Sequence, residues 1–146
     1  MKMYYIYTDG SAILNKSAGY GFVILNDQQK IVYQGYGKIT ALPLTNQHAE
    51  VLAVYFALQK IHELLGENLM NTDIMVYSDS MFTVNTMIEW GPKRKNWTGK
   101  AYSQYFIPML NWVSVQGKTN FQHIFGHSGI TYNELADKLA KQGRNS

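Results

Sequence analysis

The chain has 146 residues, a net charge of +3 and no cysteine. That length suffices for one domain with a substantial core, and 46% hydrophobic against 16% charged residues excludes a disordered chain. Disulfides and thiolate metal sites are excluded, which fits a reducing compartment, and a pI near 9.0 permits a phosphate-bearing partner without demanding one. Asp9 interrupts the N-terminal apolar stretch almost at once, so no secretion signal is expected. The longest wholly apolar run, Val51 to Leu58, is too short to span a bilayer. The expectation is a soluble, cytoplasmic, monomeric protein that engages no membrane, with a single domain over residues 1–146.

In chain order, Met3–Tyr7 is apolar or aromatic on both faces, as in a central strand covered on both sides. It runs straight into Asp9, Gly10 and Ser11. Asp-Gly is a common turn pair, and alone it would read as the end of the strand. Tyr20–Leu25 and Lys30–Tyr36 are two more strand-like runs, with the hairpin signal "NDQQ" between them. Residues 46–65 predict a helix, with Val54, Leu58, Ile61 and Leu65 on one face and Gln59, His62 and Glu63 opposite. Ile74–Tyr77 is a fourth strand, and "IMVYSDSM" repeats the earlier arrangement: an apolar run, a Tyr, a hydroxyl residue, then Asp79. A short helix follows through Val84, Met87 and Ile88, and "GPKRKNWTGK" is a polar, basic loop. Residues 101–115 look helical, with Pro108 either opening the helix or kinking it. Phe121–Phe125 is a fifth strand. In the last helix Thr131 and Glu134 fit a capping box and Gly143 fits the stop.

The order is β-β-β-α-β-α-α-β-α, an α/β fold. Strands one to three suit an antiparallel meander, and strands four and five arrive through helices, the crossovers that serve parallel pairing. With strand four parallel beside strand one, Asp9 and Asp79 emerge together at carboxyl ends of neighbouring strands, where open α/β sheets place ligands. Glu50 lies one turn before Val54, in line with the apolar stripe; it reads either as compensation of the helix dipole or as a carboxylate aimed at the sheet. Asp137 borders the face of Leu135, Ala136, Leu139 and Ala140, either as a solvated flank or as a fourth member of the group. Four converging carboxylates repel and raise one another's pKa values, and a hard divalent cation relieves that. Oxygen-only ligands point to Mg²⁺ or Mn²⁺ rather than Zn²⁺, and His48, His62, His123 and His127 have no HExxH-type spacing.

"YTDGS", "TNQHAEVLAVYFAL", "VYSDSMFTV", "FGHSG" and "NELADKLA", in this order and spacing, give the chain a resemblance to ribonuclease H of type 1 over nearly its full length. The resemblance implies a five-stranded mixed sheet, antiparallel over strands 1–3 with strands 4 and 5 parallel to strand 1, flanked by helices. It implies that Asp9, Glu50, Asp79 and Asp137 bind two Mg²⁺ ions, with Mn²⁺ as a substitute. It implies that His127 assists proton transfer or product departure. The implied substrate is the RNA strand of an RNA/DNA hybrid, cut to leave 3′-hydroxyl and 5′-phosphate ends, with 2′-hydroxyls sensed in the wide minor groove. By position Asn15 and Asn46 match family residues that contact nucleic acid there, Thr45 matches one near a DNA-strand phosphate, and Asn133 matches a polar neighbour of the active site. The chain departs from the family at Met81, where a Gln is frequent, and in a shorter, less glycine-rich loop after Asp9.

The loop with Trp90, Lys93, Arg94, Lys95, Trp97 and Lys100 interleaves aromatics with cations, which favours a nucleic-acid surface over a merely solvated face. It resembles the family's basic protrusion. Two other readings stand beside the nuclease: a hybrid-binding module that does not cut, against which the four retained carboxylates argue, and another nuclease of the same superfamily.

Overall fold

The computed structural model describes residues 2–125 and 131–146. Five strands form one mixed sheet in the order β3-β2-β1-β4-β5. Strands β1 (Lys2–Ile13), β2 (Ser17–Leu25) and β3 (Ile31–Ile39) are antiparallel neighbours, β4 (Thr72–Ser78) lies parallel to β1, and β5 (Thr119–His123) lies parallel to β4. This is the expected sheet. The β2–β3 hairpin turns at the predicted place, where the Asn26 side chain accepts from the Gln28 and Lys30 N–H groups, both at 3.0 Å.

Alternation along the strands decides what covers each face. Ile6, Phe22, Ile24, Ile74 and Val76 point to helix α1 (Asn46–Leu65), where Val51, Val54, Leu58 and Ile61 complete the main core. Tyr5, Tyr7, Val23 and Leu25 point the other way, to Ala136 and Leu139 of helix α5 (Thr131–Arg144). Tyr5 and Tyr7 thus pack on the α5 side while Tyr4 packs against the main core; Tyr7 stacks on Tyr77 with ring centroids 4.6 Å apart, and its ring lies 5.7 Å from that of Tyr132. Among the described residues, no helix is long and apolar enough to cross a membrane.

Several boundaries differ from the sequence reading, each for a packing reason. Strand β1 does not end at Asp9. It stays paired with β2 through Asp9↔Gly21, Gly10↔Tyr20 and on to Ile13↔Ser17, while its ladder with β4 stops at Tyr7↔Tyr77. Asp9 therefore sits inside a strand, just past the point where β4 leaves it. Gly10 makes no turn. A Cβ there would collide with the backbone of α1 at Ala49 and Glu50. Gly143 is likewise no stop: α5 runs on to Arg144, and Gly143 is buried against the Gly37 backbone. The entry to α5, where Thr131 and Glu134 suggested a capping box, borders residues 126–130, outside the described residues.

After β4, Ser80 caps the short helix α2 (Met81–Asn85) by accepting from the Thr83 N–H at 3.2 Å. The chain continues through a π-helical turn (Thr86–Trp90) into a last helical turn, α3 (Gly91–Lys93), so the basic stretch begins in helix rather than loop. Helix α4 (Ser103–Gln116) carries Pro108 in its interior instead of starting there. Gln116 ties its end to the sheet: the buried carboxamide donates to Leu69 and Thr72 carbonyls (2.9 and 2.7 Å) and accepts from the Lys118 N–H and the Thr119 hydroxyl (both 2.7 Å). Fixed there, β5 starts at Thr119, two residues before its predicted start.

The contact at Gly10 is the one the site depends on. Gly10→Ala should lower unfolding stability by roughly 3 kcal/mol, the upper part of the usual range for overpacking, because the obstructing atoms are backbone. An unchanged midpoint in urea denaturation would show that α1 can retreat freely.

Candidate metal centre

Asp9 shares the α5 side of β1 with Tyr7 and is buried. Glu50, the fifth residue of α1, is buried as well and reaches across Gly10. The Gly10 N–H donates to both carboxylates, to Asp9 Oδ1 at 2.9 Å and to Glu50 Oε1. Asp79 stands immediately after β4. One carboxylate oxygen from each of Asp9, Glu50 and Asp79 lies within 4.8 Å of the other two. Asp137 is half-buried on α5 and holds the Lys141 ammonium at 3.1 Å. All four acids line one cleft of about 360 Å³, together with Ser11, Asn46, Asn133 and Lys141.

Burial is the main cause that pushes the Asp9 carboxyl up to about 7; the Asp79 charge adds to it, a hydrogen bond from Glu50 opposes it, and Asp137 raises it further. Burial likewise raises Glu50 well above the usual carboxylate range, with Asp79 and Asp9 reinforcing it. Proton uptake is how such a cluster relieves its own repulsion. Asp79 Oδ1 is buried and has no hydrogen-bond partner among the described residues. Three carboxylates each offering an oxygen within reach of the other two, with an unpartnered buried oxygen on one of the three residues, fit a hard divalent cation of the Mg²⁺ or Mn²⁺ kind.

A family model described as RNase H matches residues 1–145. The chain belongs to the RNase H family. Ribonuclease H of Mannheimia succiniciproducens is 36% identical over 94% of this chain and 85% of its own length. Ribonuclease HI of Haemophilus ducreyi is 33% identical over 100% and 93%. Among solved structures, LC11-RNase H1, isolated from compost by a metagenomic approach, has a TM-score of 0.79 at 26% identity and covers 99% of this chain and 97% of its own. A second structure of it, in complex with an RNA/DNA hybrid, has a TM-score of 0.78 at 25% identity over 97% and 96%. The family is one of nucleases, and this RNase H chain is a ribonuclease H enzyme by kinship over most of its length.

Of the other residues singled out in the sequence, Asn46 and Asn133 line this cleft. Asn46 lines the cleft, its side-chain oxygen accepting from the Ala12 N–H at 2.8 Å. Thr45 caps α1 through the His48 N–H at 3.2 Å. Asn15 is exposed in the β1–β2 turn, and its N–H donates to the Leu44 carbonyl at 3.1 Å. Asn133 is buried on α5, with its side-chain oxygen unpartnered among the described residues. In the basic segment Trp97 is half-buried with its ring 6.0 Å from that of Phe106, and Arg94 lies over it at 4.7 Å. Trp97 thus anchors the loop. Trp90, Lys95 and Lys100 are exposed, and Lys93 lies 3.8 Å from Glu89. Met81 is exposed beside the site, and His127 lies outside the described residues. Sequence reasoning missed Lys141, whose i,i+4 spacing from Asp137 was a legible signal, and read Gly10 and Ser11 only as the end of the strand.

The raised pKa values carry a sign for stability. Folded Asp9 keeps a proton that the unfolded chain releases near pH 4, so its contribution is full below about pH 4 and is lost as pH rises through about 7; Glu50, raised by burial, acts in the same direction. In chelator, the thermal midpoint should fall between about pH 5 and pH 8; Asp9→Asn should flatten that slope and raise the midpoint at the alkaline end. Equal slopes for the two proteins would contradict the assignment.

Proposed function

We propose that the chain is a divalent-metal-dependent endoribonuclease that hydrolyses the RNA strand of RNA/DNA hybrids, leaving 3′-hydroxyl and 5′-phosphate ends. One observation carries this reading: three carboxylate oxygens from β1, α1 and the end of β4 within 4.8 Å of one another, in a chain of the RNase H family. Asp9, Glu50 and Asp79 would hold the metal, with Asp137 completing the set from α5. When bound, two such cations supply Lewis-acid stabilisation to the attacking and leaving oxygens of the phosphodiester.

The chain's own residues do the rest. Gly10 N–H orients Asp9 and Glu50. Asn46, its oxygen committed to Ala12, presents its amide NH₂ for a 2′-hydroxyl or base edge in the minor groove, with Thr45 next to it in the chain and Asn15 tied to Leu44 by its N–H. Lys93, Lys95 and Lys100 meet backbone phosphates, Trp90 offers a stacking face, and the Arg94–Trp97 pair holds the loop in shape. Asn133 borders the reacting phosphate, and His127 assists proton transfer or product departure. The complex of LC11-RNase H1 with a hybrid supports the substrate. The enzyme acts as a cytoplasmic monomer, a single nuclease domain over residues 1–146.

End-labelled RNA/DNA hybrid, duplex DNA and duplex RNA, each with Mg²⁺ and with chelator, test the reading. Only the RNA strand of the hybrid should be cut, and only with metal. Asp79→Asn should abolish cleavage with the fold intact, and His127→Ala should slow turnover by roughly 10²-fold. Binding of the hybrid without cleavage would sink the proposal.

The basic segment has its own test. Replacing Lys93, Lys95 and Lys100 by Ala should weaken hybrid binding more than the chemical step. The slope of log affinity against log salt should become shallower by roughly one for each lost phosphate contact. An unchanged slope would make the segment a solvated surface.

A further inference from the structure

Strand β5 ends where the metal centre begins. The β4–β5 ladder closes with Ser78 opposite His123, and the Ile124 N–H donates to the Ser78 carbonyl at 2.9 Å. One residue on, Asp79 has left the ladder. Its carbonyl meets the His123 ring instead, with Nε2 3.1 Å from the oxygen. A carbonyl oxygen only accepts, so Nε2 carries the ring proton. The half-buried imidazole packs edge-to-face with Phe125, ring centroids 5.2 Å apart at 80°.

The residues on either side of Asp79 are held by other bonds. The Ser80 N–H donates to Ser78 Oγ at 3.1 Å, and Ser80 caps α2. The Ser80 N–H is one end of the peptide unit after Asp79; its other end, the Asp79 carbonyl, is left to His123. Rotation of that unit would swing the carboxylate away from Asp9 and Glu50, and Asp79 Oδ1 has no hydrogen-bond partner among the described residues.

We propose that His123 is a positioning residue of the metal centre: its Nε2–H bond to the Asp79 main chain aims the Asp79 carboxylate at the point shared with Asp9 and Glu50. The role rests on the metal-binding reading above. It is distinct from that of a ligand, because the ring nitrogen faces the backbone oxygen and not the carboxylates.

Calorimetric titration of Mg²⁺ into substrate-free protein tests it. His123→Phe keeps a ring beside Phe125 but cannot donate, and it should weaken Mg²⁺ binding by about tenfold. His123→Gln places an amide N–H near the position of Nε2 and should restore most of the affinity. In the unaltered protein, imidazole ¹⁵N shifts at about pH 8 should report the Nε2–H tautomer, a measurement that needs no variant to fold. Wild-type affinity in His123→Phe, equal loss in both variants, or an Nδ1–H tautomer overturns the positioning role. Failure of the unaltered protein to bind Mg²⁺ overturns the metal-centre reading itself, and the two failures are distinguishable.

Discussion

Helix α1 rests on strand β1 at Gly10 with no room for a methyl group between them, and a second contact mirrors it on the other side of the sheet. Gly21 pairs with Asp9 across the β1–β2 ladder, and a Cβ on Gly21 would collide with the α5 backbone at Ala136 and Ala140. Two glycines, one on each face, therefore let two helices close on the same strand residue. The first contact brings Glu50 to Asp9. The second brings α5 near enough that Asp137 acts on the Asp9 charge. The end of β4 supplies Asp79 because its ladder with β1 stops two residues before Asp9. Sheet topology alone would give two neighbouring carboxylates; the close helix contacts turn them into a converging set.

Such a set is unfavourable without a cation. Like charges within 4.8 Å in a buried place are the condition under which carboxyl groups hold their protons. The only backbone donor shared by Asp9 and Glu50 among the described residues is the Gly10 N–H, which cannot neutralise two charges. The offset comes from elsewhere: a main core on the α1 face, a smaller cluster on the α5 face, and the four-way bond of Gln116 that pins α4 to the start of β4. Rigidity around the site keeps the carboxylates from moving apart, because core packing on both faces holds α1 and α5 down on the glycines of the sheet.

The periodic elements of this fold were legible in the sequence, and so were the antiparallel meander of strands one to three and the parallel sense of strands four and five; the place of β5 beside β4 was not. Helix α1 announces itself through Val54, Leu58, Ile61 and Leu65, and the hairpin through "NDQQ". What misled was local punctuation whose meaning is tertiary. Asp9-Gly10 has turn chemistry, yet β2 continues the ladder past it, so the glycine answers to α1 rather than to a turn. Gly143 has the look of a helix stop, yet α5 needs it to cross Gly37. The four acids were recognisable as candidates from their placement and from family resemblance. Their true separation was not, because it depends on helix–strand distances that no window of sequence contains. The basic segment shows the same limit: the contact of Trp97 with Phe106 is a tertiary one that its neighbours in sequence do not announce.

Charge is also divided in space. The chain is basic overall, with a net charge of +3, but its cleft is lined by acids, with Lys141 as their nearest ammonium partner. A phosphodiester approaching that cleft alone meets carboxylates of its own sign. The exposed lysines of the Lys93–Lys100 segment can hold a nucleic-acid backbone, but they lie outside the cleft lining and do not neutralise it. On the proposed function, then, affinity and chemistry are carried by different parts of the molecule. Phosphates distant from the cut contribute binding through the basic segment, and the phosphate to be cut becomes acceptable to the cleft only when a cation is there as well. Metal and substrate thereby stabilise one another at the site, each reducing the repulsion that the other meets.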